Sequence, residues 1–571
     1  MKSSWVAHYE PGVPSTVAYP DEPLDVLLTR TAAQWPRRVA MRFYGRSIRY
    51  VEFDSLVSRF ANALASLGVR KRSVVGVMLP NIPQTVIAYY GGMRAGAVLT
   101  PINPLYVETE IAQQVEDSGC EVVLALDQFY PRLAPLIGKT CLRRVVTTSV
   151  QEYLPWIKRM LYPIKGGKTV KSTEVPRGPS VSHLHEILRA ADTHSGGRAT
   201  LDDLALLQYT GGTTGLPKGV MLTHRNLLTN TWQCRSWMPL LREAQHVFLA
   251  VLPFFHVYGM SACQNLCFSV GGTLVLLPRF QVTEVLKTID QERVTVFPGI
   301  PSMYAAINNH QNLEHFNLRS IRLCISGAGP LPTPVQERFE ELTGARLVEG
   351  YGLTEASPVT HVNPINIQAN DRRSRSIGLP LPDTQAKVMD VETGERELAD
   401  GEVGELIVKG PQVMEGYWKR EQETRQALRE GWLFTGDMAR RDAEGYFYIQ
   451  DRKKDMIKSG GENVFPREVE EVLLRHPKIK DVCVVGLPLG LRGELIKAYV
   501  VLKDGQTATQ AEILAHCRKD LAKFKVPKRV EFRSELPKTL IGKVLRRVLV
   551  DEELKKLPEE TVSEGDEQVD A

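Results

Sequence analysis

The stretch Tyr209-Thr-Gly-Gly-Thr-Thr-Gly-Leu-Pro-Lys-Gly-Val220 lies between two apolar runs and is rich in glycine and threonine. Glycine leaves backbone N–H groups open to an anion, threonine hydroxyls donate hydrogen bonds, and lysine adds a positive charge. A phosphate-binding loop is one interpretation, and a glycine-rich surface hairpin is the other. In the first case the phosphate would contact the side chains of Thr210, Thr213, Thr214 and Lys218.

The stretch differs from a Walker A loop, in which the lysine is followed directly by serine or threonine. Here Lys218 lies between Pro217 and Gly219, and the first residue suited to cap a helix is Thr223. The intervening residues 220–222 are apolar and favour an extended backbone. We therefore expect the loop to join two strands rather than to open a helix whose dipole binds phosphate.

Strand-length apolar runs alternate with helical patterns on both sides of this loop. Residues 72–79 and 121–125 are typical of strands, and residues 84–96 between them are typical of a helix. Such alternation predicts an α/β fold with largely parallel sheets, here in two α/β subdomains. Short strands and turns after Gln385 predict a small β-rich subdomain, and a separate α+β pattern follows.

We expect four segments along the chain. Residues 1–450 form the large N-terminal domain, and residues 451–454, in a charged stretch, form a hinge. Residues 455–556 form a mobile α+β C-terminal domain. Residues 557–571 are acidic and are expected to be disordered.

Composition excludes several classes of function. The chain has 571 residues and a formal net charge of +5, which does not indicate nucleic-acid binding. Its eight cysteines lack Cys-x-x-Cys spacing, so neither a zinc site nor a disulfide framework is indicated. The first residues lack a signal-peptide core, and no apolar run reaches the ~18 residues of a membrane span. We therefore expect a cytoplasmic protein.

Residues 151–190 mix aromatic and basic side chains, as in Trp156-Ile-Lys-Arg-Met160. Such a segment suits the anionic surface of a membrane, where the protein would be peripheral. A solvated loop with a packed helix explains the composition equally well. Both interpretations stay open at this point.

Two further glycine-containing clusters follow predicted strands. In Glu349-Gly-Tyr-Gly-Leu-Thr-Glu355, Tyr351 suits stacking on a purine, Thr354 suits a phosphate oxygen, and Glu355 suits Mg²⁺. Ser326-Gly327-Ala328-Gly329-Pro330 would let a flat base approach the backbone. Since ligands bind at the carboxyl ends of parallel strands, both clusters indicate a crevice there. Each cluster taken alone is equally compatible with a structural turn.

The C-terminal third of the chain contains one acidic and two basic candidate site residues. Asp437 follows the aromatic strand at 432–434 and suits both ribose hydroxyls, and Arg452 follows closely enough to share that sugar. Lys543 lies in a glycine-containing loop near the end of the chain. Each signal is weak alone, but the order and spacing of all the clusters together are specific.

The clusters together resemble the core motifs of adenylate-forming enzymes, the superfamily of acyl-CoA synthetases, peptide-synthetase adenylation domains and beetle luciferases. The similarity extends from about Asp21 to Val550. Residues 430–468 are similar to the signature of fatty acyl-CoA synthetases, and residues 101–106 and 297–304 are similar to bacterial long-chain members. The motifs that carry the resemblance are Tyr209–Val220, Glu349–Glu355, Thr435–Asp437, Asp451–Lys458 and Lys543.

The resemblance implies an ATP-dependent long-chain fatty acyl-CoA synthetase. A fatty carboxylate would attack the α-phosphate of ATP to give acyl-AMP and pyrophosphate, and the CoA thiol would then displace AMP. The implied cofactors are ATP, Mg²⁺ and CoA, the implied partners are small molecules, and no nucleic acid is implied. Contact with the inner membrane surface and a homodimer are left open.

The resemblance also implies catalytic roles. Lys543 would bridge the carboxylate and the α-phosphate, and Thr354 would contact the same phosphate. Glu355 would bind Mg²⁺, while the residues of the 209–220 loop would hold the departing phosphates. His256 matches the position beside the acyl carboxylate, and a buried structural histidine is the less favoured alternative.

Nucleotide and CoA contacts follow in the same way. Tyr351 with Gly352, and Gly327-Ala328-Gly329, would contact adenine, and Asp437 with Arg452 would hold the ribose. Lys454 matches a hinge about which the C-terminal domain rotates between the two half-reactions. After that rotation Lys458, Gly460 and Gly461 would line the path of the pantetheine arm.

Other functions stay open. The chain could be a fatty acyl-AMP ligase that loads a carrier protein, a medium-chain or aryl acid CoA ligase, or a peptide-synthetase adenylation domain. The short sequence after Lys543 and the fatty-acid signature favour CoA. A catalytically silent nucleotide- or lipid-binding module is disfavoured because Glu355, Asp437 and Lys543 occur together.

Overall fold

The computed structural model describes residues 4–165, 175–191, 199–210, 217–365, 373, 375–459, 462–488, 494–539 and 544–556. The chain divides into two compact units. Unit 1 comprises Met1–Ala386, Ile407–Phe434 and Glu444–Tyr446, and unit 2 comprises Lys387–Leu406, Thr435–Ala443 and Phe447–Ala571.

The strands follow in chain order. They are β1 Val39–Phe43, β2 Arg46–Arg49, β3 Val74–Met78, β4 Val98–Pro101, β5 Val122–Leu126, β6 Arg144–Thr148, β7 Val181–His183, β8 Leu204–Thr210, β9 Lys218–Thr223, β10 Val247–Ala250, β11 Thr273–Leu276, β12 Val296–Gly299, β13 Leu323–Ser326, β14 Arg346–Gly352, β15 Val359–Val362, β16 Leu379–Pro380, β17 Gln385–Met389, β18 Gly404–Lys409, β19 Gly416–Tyr417, β20 Leu428–Arg429, β21 Trp432–Arg441, β22 Phe447–Arg452, β23 Ile457–Ser459, β24 Glu462–Val464, β25 Ile479–Pro488, β26 Glu494–Leu502 and β27 Arg529–Arg533.

The α-helices alternate with these strands. They are α1 Val26–Gln34, α2 Tyr50–Ser66, α3 Pro83–Arg94, α4 Glu108–Ser118, α5 Tyr130–Leu133, α6 Trp156–Lys165, α7 Leu184–Ala190, α8 His224–Trp237, α9 Leu266–Ser269, α10 Val282–Glu292, α11 Pro301–Asn308, α12 Thr333–Thr343, α13 Glu421–Ala427, α14 Pro466–Leu474, α15 Gln510–Asp520 and α16 Arg546–Leu554. Among the described residues, none of these helices has the length and apolar character required to span a bilayer.

Unit 1 contains two large, mostly parallel sheets. One has the strand order β16-β15-β14-β13-β12-β10-β11-β1-β2, and the other has the order β19-β9-β8-β4-β3-β5-β6-β7. Strands such as β3 and β5 are buried along their whole length, as their continuous apolar sequences require in a parallel sheet covered on both faces. The predicted α/β fold with a large N-terminal and a smaller C-terminal domain is confirmed.

Unit 2 has a core of its own. Strands β25, β26 and β27 form one sheet, and helices α14 and α15 contribute Val469, Leu473 and Ile513 to the buried cluster against it. The expected boundaries at 450 and 454 stay a prediction. Within the charged stretch expected to be a hinge, Asp451 and Arg452 end β22, and Lys453–Asp455 form a 3₁₀ turn.

Candidate active site

The glycine- and threonine-rich stretch is a hairpin loop. Strands β8 and β9 pair antiparallel, and Thr210 and Lys218 are the cross-strand partners nearest to the loop. The expectation of two strands rather than a strand and a helix is therefore confirmed. Helix α8 begins only after Thr223, whose hydroxyl accepts a 3.1 Å hydrogen bond from the backbone N–H of Asn226. The predicted phosphate ligands Thr213 and Thr214 lie outside the described residues.

Lys218 places a positive charge at the end of this hairpin. Its Nζ lies 5.1 Å from the centroid of the Tyr417 ring, within the range of a cation–π contact. Among the described residues, no carboxylate forms an ion pair with Lys218.

Tyr417 joins the hairpin to Glu355. The strand β19 pairs with β9, so Tyr417 lies opposite Val220. The Tyr417 hydroxyl donates a 2.8 Å hydrogen bond to Oε1 of Glu355, and the N–H of Met414 donates one of 2.8 Å to the Glu355 carbonyl. The sequence analysis missed Tyr417 because only the pairing of a two-residue strand brings it here.

Asp117, the second-last residue of α4, contacts both the β8–β9 hairpin and the residues that follow β19. Its Oδ2 accepts a 2.6 Å hydrogen bond from the Tyr209 hydroxyl, and its carbonyl accepts one of 3.0 Å from Nε1 of Trp418. Nη2 of Arg420 lies 3.2 Å from Oδ1. Burial and the neighbouring carboxylate raise the pKa of Tyr209 above its ordinary value, so this hydroxyl stays a donor.

The other two glycine clusters lie at neighbouring strand ends of the nine-stranded sheet. Strands β12, β13 and β14 are parallel and adjacent, so their carboxyl ends lie along one edge. Gly327, Ala328 and Gly329 follow β13, while Tyr351 and Gly352 end β14. The sequence-based placement of both clusters is confirmed, and a crevice at this edge is where a parallel sheet binds ligands.

The backbone at this edge is closely constrained. A side chain at Gly327 would lie 3.1 Å from the Tyr258 ring, and one at Gly352 would collide with the carbonyl of Pro358. Ala328 is exposed and has a left-handed φ of 65°. These positions present backbone rather than side chain to a ligand.

Tyr351 and Thr354 are both half-buried. The Tyr351 ring contacts His361 edge-on at a centroid distance of 6.0 Å. Burial lowers the pKa of His361 to about 3, so its imidazole is neutral at physiological pH. Thr354 and Glu355 lie together in the 3₁₀ turn that follows β14.

His256 follows the end of β10, which neighbours β12. Its Nδ1 accepts a 3.2 Å hydrogen bond from the N–H of Tyr258, so the neutral ring carries its proton on Nε2. The Tyr258 hydroxyl bonds the carbonyls of Gly299 and Ile325, which belong to β12 and β13. His256 therefore lies in a segment anchored to the same edge of the sheet as Gly327.

Unit 2 brings Asp437 and Arg452 together. They are register partners of β21 and β22, and Nε of Arg452 lies 2.6 Å from Oδ1 of Asp437. The expectation that Asp437 follows the strand was wrong, since β21 continues to Arg441. Gly436 adopts a left-handed φ of 69°, which lets the strand bend without ending.

A carboxylate on the neighbouring strand β18 was not anticipated. Glu405 is buried, accepts a 3.1 Å hydrogen bond from the N–H of Gly436, and lies 2.8 Å from Nζ of Lys453. Two residues before Lys453, burial raises the pKa of Asp451 to about 6, and the charge of Arg546 opposes that rise. Arg452 and Lys453, at the start of the segment that leads to Asp455, are thus both paired with carboxylates.

Of the remaining predicted site residues, two are described by the structure and three are not. Lys454 is exposed in the 3₁₀ turn, and Lys458 is exposed in β23, where its N–H donates a 2.7 Å hydrogen bond to Glu494. The predicted residues Gly460, Gly461 and Lys543 lie outside the described residues.

Comparison with known proteins places these features in a family. Residues 28–418 match the AMP-binding enzyme family, and residues 468–543 match the AMP-binding enzyme C-terminal domain. A long-chain-fatty-acid–CoA ligase of Bacillus subtilis (strain 168) is 45% identical over 552 residues, which are 96% of this chain and 98% of that protein. One from Escherichia coli O157:H7 is 37% identical over 568 residues, which are 97% of this chain and 98% of that protein.

A solved structure shows the same fold. The crystal structure of ATP-bound MatB from Rhodopseudomonas palustris superposes with a TM-score of 0.80 at 28% identity. The superposition covers 92% of this chain and 98% of that chain.

Proposed function

The chain belongs to the AMP-binding enzyme family, and from that premise we propose that it is a long-chain fatty acid:CoA ligase that forms AMP. The observation that carries the proposal is the near full-length similarity to two ligases of that activity. The ammonium of Lys218 and the carboxylate of Glu355 support the proposal, because both contact the side chain of Tyr417 in unit 1.

The reaction has two half-reactions. A carboxylate oxygen of the fatty acid attacks the α-phosphorus of ATP, a P–O bond forms, and the bond to pyrophosphate breaks. The CoA sulfur then attacks the acyl carbon, the C–O bond to AMP breaks, and the thiol proton passes to solvent. Because two anions must meet in the first step, the protein's contribution is alignment and charge neutralisation.

Roles for individual residues follow from this chemistry. Thr210 and Lys218 would hold the departing phosphates, together with Thr213 and Thr214, and Thr354 would contact the α-phosphate. The edge formed by Gly327–Gly329 and Tyr351 would take the adenine. His256, through its Nε2 proton, would face the acyl carboxylate, and Lys543 would bridge carboxylate and phosphate.

The groups at Glu355 fit a magnesium ion. A glutamate oxygen and the hydroxyl of Thr354 are the hard oxygen donors that Mg²⁺ prefers. Oε1 of Glu355 accepts from Tyr417, and within the described ranges Oε2 has no protein donor. Over those same ranges no group of three His, Cys, Asp or Glu side chains could enclose a metal. Magnesium would therefore take its other ligands from the phosphates and water, and would supply positive charge beside them.

Residues of unit 2 would serve both half-reactions. Asp437 would accept hydrogen bonds from the ribose hydroxyls, and Arg452, paired to it at 2.6 Å, would orient that carboxylate. We propose rotation of the C-terminal domain about Lys454 between half-reactions. Lys458, Gly460 and Gly461 would then border the pantetheine arm of CoA.

Helix α6 supports a peripheral contact with an anionic membrane surface. Trp156, Ile157 and Met160 are exposed by 72%, 53% and 68%, and their spacing places Trp156 and Met160 on one face. Residues 153–173 include five lysines and arginines and no acid. Apolar side chains beside basic ones suit the interface of an anionic bilayer, where a long-chain fatty acid would also be found.

Sedimentation with vesicles tests this contact. We expect the protein to bind vesicles rich in phosphatidylglycerol more than vesicles of phosphatidylcholine alone, and Trp156→Ser with Met160→Ser to lose that preference. Leu240→Ser, which removes another exposed apolar side chain, is the matched control. Equal binding to both vesicle types by the unaltered protein would refute the contact.

Product analysis tests the ligase activity. With ATP, Mg²⁺ and palmitate, we expect sustained AMP release and palmitoyl-CoA only when CoA is present. Sustained release with a carrier protein instead of CoA would favour the carrier-loading alternative. Octanoate and benzoate compare the medium-chain and aryl alternatives, and a clear preference for either would refute the long-chain assignment.

A further inference from the structure

We infer that Tyr417 is a positioning residue that couples the ammonium of Lys218 to the carboxylate of Glu355, so that nucleotide and divalent cation bind cooperatively. The inference rests on the proposed binding of ATP at this site. It concerns the link between the two groups, which neither sequence motif contains.

Hydrogen bonds on both sides fix the backbone of Tyr417 against β9. The N–H of Trp418 donates a 2.8 Å hydrogen bond to the carbonyl of Gly219, and the N–H of Glu415 donates one of 3.1 Å to the carbonyl of Met221. Because Tyr417 lies between these two bonds, its backbone is held in register with β9, the strand that begins at Lys218.

The side chains around Asp117 hold both strands in that register. The hydroxyl of Tyr209, from β8, and the indole of Trp418 donate to opposite ends of this one residue. The hairpin stem and the residue after Tyr417 are thus fastened to α4. The backbone position of Tyr417 is therefore set by contacts other than those with Glu355 and Lys218.

The contacts of Tyr417 with Glu355 and with Lys218 use different parts of its side chain. The hydroxyl donates to Oε1 of Glu355 at 2.8 Å, and the ring face lies under Nζ of Lys218 at 5.1 Å. Donation to a carboxylate polarises the O–H bond and increases electron density in the ring, which strengthens its attraction for the ammonium. The state of Glu355 is therefore transmitted to Lys218 through one side chain.

A divalent cation bound at Glu355 would draw charge from the carboxylate and reduce this polarisation. The hydrogen bond from Tyr417 would then weaken, and with it the attraction of the ring for Lys218. Lys218 is then free to turn toward phosphate oxygens. Since coupling free energies are reciprocal, nucleotide at the hairpin favours the cation at Glu355 to the same extent.

Calorimetric titration of ATP measures the coupling without relying on turnover. The dissociation constant of ATP is determined with excess Mg²⁺ and with EDTA. The value in EDTA divided by the value in Mg²⁺ is the coupling ratio, and this ratio is compared between proteins. Tyr417→Phe keeps the ring under Lys218 and removes the hydroxyl. We expect it to reduce the ratio about fivefold, the low end of typical allosteric couplings.

The matched control is Tyr19→Phe, because the Tyr19 hydroxyl also donates to a carboxylate, Oδ2 of Asp383, at 2.6 Å. It should leave the ratio unchanged. Glu355→Gln should reduce the ratio, and adding Tyr417→Phe to it should reduce the ratio no further. Thermal unfolding of each variant in the absence of ligand confirms that it is folded.

The outcomes separate two kinds of failure. If the unaltered protein binds ATP but Tyr417→Phe retains its full ratio, the coupling is refuted and the proposed function stands. If Tyr417→Phe and Glu355→Gln act additively, the link through the hydroxyl is refuted as well. If the unaltered protein binds no ATP under either condition, the proposed function fails and the inference fails with it.

Discussion

Thr210 and Lys218 are cross-strand partners, so a hydroxyl and an ammonium lie at the two ends of one glycine-rich loop. In a Walker loop the lysine precedes a helix, and its charge acts together with the helix dipole. Here the loop returns as a strand, and Tyr417 rather than a helix end adjoins the lysine. Such a loop suits the holding of a leaving pyrophosphate, with Lys218 as a contributor rather than the principal catalyst.

Replacement of Lys218 should weaken the use of ATP. For Lys218→Gln we expect kcat/KM for ATP to fall by about tenfold, or ~1.4 kcal/mol, because one charge near the phosphates is lost. Lys409→Gln is the control, since Lys409 also contacts an aromatic ring, that of Trp432 at 5.9 Å. Equal losses of kcat/KM in both variants would contradict a role for Lys218 in binding ATP.

Replacement of Asp437 should alter recognition of the sugar. A site built to hydrogen-bond a hydroxyl discriminates strongly against an analogue without it. We expect the unaltered protein to prefer ATP to 2′-deoxy-ATP in kcat/KM, and Asp437→Ala to lose most of that preference. Asp390→Ala, which removes a half-buried carboxylate of the same unit, should retain it. Unchanged discrimination in Asp437→Ala would contradict the ribose role.

Stability should fall in mild acid because of His224. Burial lowers the pKa of this imidazole to about 4, whereas the unfolded value is about 6.5, so the unfolded chain binds the proton first as the pH falls. His224 therefore contributes stability that is complete above pH ~6.5 and is lost toward pH ~4, by up to about 3 kcal/mol.

Urea unfolding at several pH values measures this loss. Relative to His224→Gln, whose amide oxygen can still accept the 3.2 Å hydrogen bond from the N–H of Leu24, the unaltered protein should lose stability as the pH decreases. A difference between the two proteins that does not change from pH 7 to pH 4 would contradict the prediction.

The sequence predicted local features well. The hairpin ended by Thr210 and Lys218 and the strand end before Gly327 follow from short apolar runs and glycine positions, which are properties of neighbouring residues. The resemblance of these clusters, taken in order, to the motifs of adenylate-forming enzymes implied the adenylate chemistry.

Contacts between distant residues were not accessible in the same way. Tyr417 and Glu355 are 62 positions apart, and Tyr209 and Asp117 are 92 apart. Strand β19, which positions Tyr417, is too short to produce a periodic pattern. The predicted end of β21 before Asp437 failed because Gly436, typical of a turn in sequence, here bends a continuing strand.

Lys543 should serve only the first half-reaction. Lys543→Ala removes the charge expected between carboxylate and α-phosphate, so we expect acyl-AMP formation to fall by at least about 100-fold. Thioester formation from supplied acyl-AMP should be nearly unchanged. Lys538→Ala, which lies a few residues earlier in the sequence and is paired with Asp481, is the control. Equal loss in both half-reactions would contradict this role.

Exchange of labelled pyrophosphate into ATP tests the central claim most directly, because it requires reversible formation of acyl-AMP and no CoA. We expect exchange that depends on palmitate, is weaker with octanoate and benzoate, and falls sharply in Lys543→Ala. Exchange that is absent with every long-chain fatty acid, or that proceeds equally without a carboxylic acid, would contradict it.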